Sequence, residues 1–234
     1  MSAFGDAVTW LNDPTNWRGR SGVPHLLAEH LAISGVAVGA GCVVAWPVAI
    51  WLGHIRRGGG LTGMLSTLSR AVPTLALLTL FAVTPIGFGD TATTVALAIF
   101  AIPPLLTNAY VGVREVDRDV VEAANGMGLS PLQVLRRVEV PLALPLIAAG
   151  FRTAAVQVVA TASLAALVGG GGLGVIVSDG FGLQRSGQIV AGALLIALVA
   201  LLTEVVLAAV QRSVTPGRQR SRLVRRTLLR RRPA

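Results

Sequence analysis

The sequence predicts an all-α, polytopic membrane protein with about five transmembrane helices. Composition is the first observation: 53% of the 234 residues are hydrophobic and 13% are charged. The second is the set of uncharged runs at 31–53, 71–89, 91–113, 153–178 and 186–203. Each is near or above the ~18 residues that read as a candidate span. A soluble core helix rarely runs so far without a charge on its outer face. The third is the lack of alternation with period two in chains of Leu and Ala, which favours helices over a barrel.

Taken in order, residues 1–28 read as an extracytoplasmic N-terminal segment. They lack the basic start and apolar core of a cleavable signal peptide. Trp10 and Trp17 suit a membrane interface. The transmembrane domain is expected over 29–211, with helices at about 29–52, 68–88, 92–112, 146–168 and 188–210. In the first, Gly35-x-x-x-Gly39 offers a small-residue packing face. The single Cys42 cannot form an intrachain disulfide. Residues 212–234 form an Arg-rich tail, expected to be cytoplasmic.

Charge orients these helices. All twenty basic residues are Arg. Arg56 and Arg57 fall between helices one and two, and Arg114, Arg118, Arg136 and Arg137 between helices three and four. Nine more lie from Arg212 onward. These segments share one side of a five-helix count, and the positive-inside rule makes it cytoplasmic. The other side carries Arg18, Arg20 and Arg185. The N-terminus is expected outside and the C-terminus inside.

The polar island at 114–141 has its own local logic. Asp117 can cap a short helix that carries Val116, Val120, Val121 and Ala124 at helical spacing. Asn125-Gly126 tolerates the left-handed conformation that ends helices. A second helix can start at Ser130, with Pro131 at its first position and Gln133 at capping-box spacing. Leu132, Leu135 and Val138 form its apolar stripe. The expected product is a helix–turn–helix whose small residues let another backbone approach.

Within the island, Glu122, Ala123, Ala124, Gly126, Gly128, Val138, Val140 and Pro141 set a pattern. It resembles the coupling loop of binding-protein-dependent ABC importer permeases: EAA, three residues, Gly, nine residues, then Ile-x-Leu-Pro. Val138 and Val140 stand where Ile and Leu are usual. Further segments, among them Pro73-Thr74-Leu75-Ala76-Leu77, Gly150-Phe151-Arg152-Thr153-Ala154 and Gly170-Gly171-Gly172-Leu173-Gly174, resemble the osmoprotectant subfamily. That subfamily moves glycine betaine, choline, carnitine or related quaternary amines, and the likeness covers about residues 26–210.

The resemblance implies a type I ABC importer permease fold in the cell membrane. It implies a permease subunit that couples to cytoplasmic ATPases through Glu122, Ala123, Ala124, Gly126, Gly128, Val138 and Pro141. The implied partners are two ATPase subunits, a second permease, identical or homologous, and an extracytoplasmic solute-binding protein. ATP and Mg would be bound by the partner ATPase, and the chain itself would carry no cofactor. Two other readings stay open: an amino-acid ABC importer, and a membrane-embedded enzyme.

Other chemistry finds little support. The run Gly169-Gly170-Gly171-Gly172-Leu173-Gly174 lacks the Lys-Ser/Thr of a phosphate-binding loop and reads as a bend or outer gate. His25, His30 and His54 are scattered, so no metal site is expected. No catalytic nucleophile motif is present. The Arg-rich tail suits anionic lipid head groups better than nucleic acid. Arg152 and Glu204 are candidates for an intramembrane charge pair, since each sits near the inner end of its helix. A charge at a helix centre costs about 2.5–3.5 kcal/mol on insertion scales, and less near the ends. The residues that line the substrate pathway are not legible.

Overall fold

The computed structural model describes residues 2–60, 63–64, 73–85 and 87–214. Among these residues the regular structure is helical, without strands. Ser2 caps α1 (Ala3–Asn12) by accepting a bond from the Gly5 amide. Asp13 then caps a 3-10 turn at Pro14–Trp17. Bonds from the Thr15 hydroxyl and amide hold the Asp13 carboxyl below its ordinary pKa.

Among the described residues four stretches are long and apolar enough to span a membrane: Val23–His54, Asp90–Arg114, Pro131–Val168 and Ser186–Val214. The first is α2, with Pro24 in its first turn, where a missing N–H does no harm. It begins at Val23 instead of 29. The helix expected at 68–88 is described from residue 73 onward; 68–72 and 86 lie outside the described residues. Its described part is α3 (Thr74–Ala82), whose nine residues are shorter than a span. Leu78 on α3 packs into a buried cluster with Ala96 and Val168.

Asp90–Arg114 is α4, and Ser186–Val214, at the end of the described chain, is α9. Between them lie α5 (Arg118–Gly126), α6 (Pro131–Val134), α7 (Val140–Thr161) and α8 (Gly174–Gly182). The helix expected to begin at about 146 begins at Pro131 instead. A π-turn at Leu135–Glu139 joins α6 to α7 without a break. The Val140 amide reaches back to the Leu135 carbonyl. Pro141 follows directly; a proline ring clashes with the carbonyl four residues earlier in a regular helix. Widening the backbone at this point accommodates the ring, so Pro141 does not end the helix.

Lipid gives helices no hydrophobic reason to associate, so close packing has to hold them. The core is accordingly built from small residues: Ala37, Ala45, Ala49, Ala101, Ala109 and Ala143 are fully buried. At the α4–α7 crossing a Cβ on Gly150 would lie 2.6 Å from the Asn108 Cβ and 2.9 Å from the Pro104 carbonyl oxygen. Only a hydrogen fits there. The packing face expected at Gly35-x-x-x-Gly39 is different. No atom lies within 4 Å of where a Cβ would stand at either glycine. These two instead line an apolar groove of about 540 Å³ between α2, α7 and α9.

Polar groups within the bundle are placed against freed backbone. At Ala162 the helix tightens to a 3-10 form that runs to Val168. Such a change leaves carbonyls of the last α-turn without their usual partners. His30, buried on α2, donates from Nε2 to the Val159 carbonyl at 2.9 Å. Gly169, with φ +73°, ends the 3-10 segment. At that end of the bundle a glycine strap crosses the helices. The Gly171 amide donates to Asp90 Oδ1 at 2.8 Å and the Gly172 amide to Glu29 Oε2 at 3.2 Å. The N–H groups that a phosphate would need are therefore taken by carboxylates. Finally, α1 folds back onto α9, where a Cβ on Gly187 would meet Asp6 at 2.7 Å.

Candidate functional site

The loop between α4 and α7 is a capped helix–turn–helix. The Asp117 side chain accepts from the Asp119 amide at 2.9 Å and starts α5. Ser130 and Gln133 form a reciprocal capping box that starts α6, with Pro131 at the first position. In that box the Ser130 amide donates to Gln133 Oε1 at 2.8 Å. The turn between the helices departs from the sequence expectation. Asn125 and Gly126 stay helical, and the left-handed residue is Gly128, with φ +81°. The Leu129 amide bonds the Ala124 carbonyl at 3.3 Å and the Gly128 amide bonds the Asn125 carbonyl at 2.9 Å. These two bonds make a Schellman end, which wants glycine two residues later than the Asn-Gly pair suggests.

Burial sorts the site residues into two faces. Ala124 is 2% exposed and packs inward, as do Val116 and Val134. Glu122, Ala123, Gly126 and Gly128 are exposed, and Met127 at the tip is 74% exposed. Val120 and Leu132 add further exposed apolar surface. No atom lies within 4 Å of a Cβ position at Gly126 or Gly128, so the tip is open. Val138 is half-buried in the π-turn, and Pro141 lies exposed in the first turn of α7.

Several contacts seat this loop on the bundle. Arg56 Nη2 donates to the Val116 carbonyl at 3.2 Å. Arg114 Nη1 donates to the Tyr110 hydroxyl at 3.0 Å, with its guanidinium 5.6 Å from that ring's centre. Glu139, 2% exposed in the π-turn, places Oε2 2.5 Å from His54 Nδ1 at the end of α2. No local signal in the sequence marks this contact, because its partners stand 85 residues apart. Deeper in the bundle, Arg152 Nε lies 3.5 Å from Glu204 Oε1, across α7 and α9. Both side chains are partly exposed, at 33% and 41%. They flank the apolar groove through their neighbours Phe151 and Thr203.

Nothing in this arrangement resembles a reaction centre, and among the described residues no three His, Cys, Asp or Glu side chains gather to hold a metal. Its chemistry is that of an exposed, rigidly capped knob mounted on a spanning helix. Residues 38–220 match the family described as "binding-protein-dependent transport system inner membrane component". The chain belongs to this family. It is the permease subunit of an ABC importer, a transport protein with no enzyme activity of its own, and a multi-pass protein of the cell membrane.

Among its relatives, the choline transport system permease protein OpuBB of Bacillus subtilis is 36% identical over 82% of this chain and 88% of its own. The glycine betaine/carnitine/choline transport system permease protein OpuCB of the same organism is 36% identical over 80% and 86%. The carnitine transport permease protein OpuCB of Listeria monocytogenes is 38% identical over 80% and 86%. The fold superposes on an inward-facing MetNI methionine ABC transporter with TM-score 0.72, at 22% identity, over 88% of this chain and 100% of that one. An amino acid ABC transporter gives 0.68 at 18% identity, over 91% and 99%. These two likenesses establish the type I permease fold alone. Membership of the family implies ATPase, substrate-binding and second permease partners.

The two loop glycines should respond oppositely to the same substitution. Gly128→Ala forces a Cβ into the left-handed region and should destabilise the loop by about 1–2 kcal/mol. Gly126→Ala replaces a helical glycine with open space around it and should stabilise by up to about 1 kcal/mol. Hydrogen exchange of the loop amides in the purified protein reads both effects.

Proposed function

We propose that this permease forms the translocation pathway of an ATP-driven importer for a compatible solute such as glycine betaine, choline or carnitine. The observation that carries the substrate class is likeness over about four-fifths of the chain to permeases named for those solutes. ATP and Mg belong to the cytoplasmic ATPase partners. Their closure would move a pair of loops, one from this chain and one from a second permease, identical or homologous. In this chain the docking face is Glu122, Ala123, Gly126 and Gly128, with Met127 at the tip and Ala124 anchoring the helix from below. Val138 and Pro141 lie in the stretch that carries loop displacement into the spanning helix. Because α6 continues into α7, a push on the loop tilts the span as a rigid body. An extracytoplasmic binding protein delivers the solute. The Arg-rich tail at 212–234, outside the described residues beyond 214, meets anionic lipid head groups.

The test of function is uptake. A strain that lacks this permease and every redundant importer should lose glycine betaine or choline uptake under osmotic stress. Restoration by the wild-type chain and not by Gly128→Trp, with membrane insertion intact and ATPase co-purification lost, would support both substrate class and docking face. Normal quaternary-amine uptake in the deletion strain, with an amino acid no longer imported, would overturn the substrate class.

The loop can meet an ATPase only if it lies in the cytoplasm, with the N-terminus outside. The Arg distribution supports that orientation. In a Cys42→Ala background, Ser2→Cys should react with an impermeant maleimide in intact cells. Ser130→Cys should react only after permeabilisation, and labelling of Ser130→Cys in intact cells would reverse the topology.

The Arg152–Glu204 contact is proposed to brace α7 against α9 beside the groove. Partial exposure limits its worth, so a coupling energy of about 0.5–1 kcal/mol is expected. Arg152→Gln and Glu204→Gln should each reduce assembled transporter, and the double variant should lose less than the sum. Additive losses would show that the two charges act independently.

A further inference from the structure

We propose that the Glu139–His54 contact is the link that carries displacement of the coupling loop to α2. The proposal rests on the coupling role given above and assigns Glu139 and His54 as positioning residues within it. A push on the loop that reaches α6 passes directly into α7, along one continuous helix. It has no such covalent route to α2, which ends at His54 and is 85 residues away in sequence from Glu139. Motion can reach α2 only across contacts between helices.

Two polar contacts described above join the end of α2 to this loop. Arg56 grips the Val116 carbonyl just before α5, and His54 grips Glu139 just after α6. The end of α2 is thereby seated on both legs of the helix–turn–helix. The two contacts differ in kind. The Arg56 bond is partly buried and ends on a main-chain carbonyl. The Glu139 side chain is 3% exposed and that of His54 17%. A buried carboxylate that loses its partner is left with neither water nor a counter-group. The pair therefore resists separation, and α2 follows Glu139 when the helix tilts. Glu139 also occupies the π-turn, where the backbone is already widened ahead of Pro141. Its carboxylate thus sits at the junction between the docked loop and the spanning segment. Close contact continues above the pair, where a Cβ on Gly53 would lie 2.8 Å from the Val113 Cβ. Tying His54 to Glu139 therefore engages α4 as well as α2.

The experiment uses the complete transporter in proteoliposomes, with its ATPase and binding protein, and radiolabelled glycine betaine as probe. Uptake and ATP hydrolysis are measured on the same preparation. E139A and H54A should each lower solute moved per ATP by about tenfold, while hydrolysis stays within about twofold of wild type. E139Q keeps a hydrogen-bonding group in place and should retain near-normal stoichiometry. The exchanged pair H54E/E139H should regain most of what the single truncations lose. Unchanged stoichiometry in E139A, or uptake and hydrolysis falling in proportion, would overturn the proposal. So would an E139Q variant as uncoupled as E139A. Where a truncation does not assemble, the exchanged pair decides: recovery of assembly with stoichiometry supports the link, and failure in either respect overturns it. A wild-type complex that hydrolyses ATP without uptake would instead overturn the underlying coupling role, and the pair's part with it.

Discussion

Every backbone N–H and C=O at membrane depth has to find a partner within the protein, because hydrocarbon offers none. The chain meets this constraint at three places where its backbone departs from the α-helix. The π-turn at Leu135–Glu139 rebonds to the Leu135 carbonyl on its way past Pro141. The 3-10 segment at Ala162–Val168 leaves the Val159 carbonyl to be met by His30. The glycine strap, which is neither helix nor strand, delivers its amides to Asp90 and Glu29. At the last two of these places a specific side chain answers the irregular backbone.

The same constraint explains the character of the core. Once the helices are internally satisfied, they attract one another only through contact, and contact improves as side chains shrink. Buried alanines and the Gly150 crossing bring α4 and α7 together closely enough for that weak attraction to add up. Large apolar side chains are divided: Leu97, Leu105 and Leu173 are buried, whereas Leu198, Leu201, Leu202 and Val205 on α9 are exposed. Among the described spans α9 is thus the most peripheral.

What could be read from the sequence was local. The caps at Asp117 and Ser130 act within three residues, so their side chains alone disclosed them. Long uncharged runs disclosed four spans for the same reason. The failures came where a local signal met a longer-range one. Asn125-Gly126 reads as a helix end, yet the Schellman bonds to Ala124 and Asn125 place that end at Gly128. The helix expected to start at about 146 begins at Pro131, because a widened turn carries it past Pro141. Gly35 and Gly39 have the spacing of a packing face, but spacing does not say which neighbour will come. The His54–Glu139 contact lay beyond any window, since only the assembled fold brings its two halves together.

The return of α1 to the far end of the chain bears on how the molecule is made. Asp6 and Ala7 find their packing surface on α9, at Gly187. A ribosome releases about 5–20 residues each second, so α1 waits on the order of ten seconds before its seat exists. Trp10 belongs to a second contact that begins earlier, because it packs against the cluster of Val23, Leu26, Leu173 and Ile176, whose first two members lie on α2. The surface at Gly187 that receives α1 is therefore made well after α1 itself.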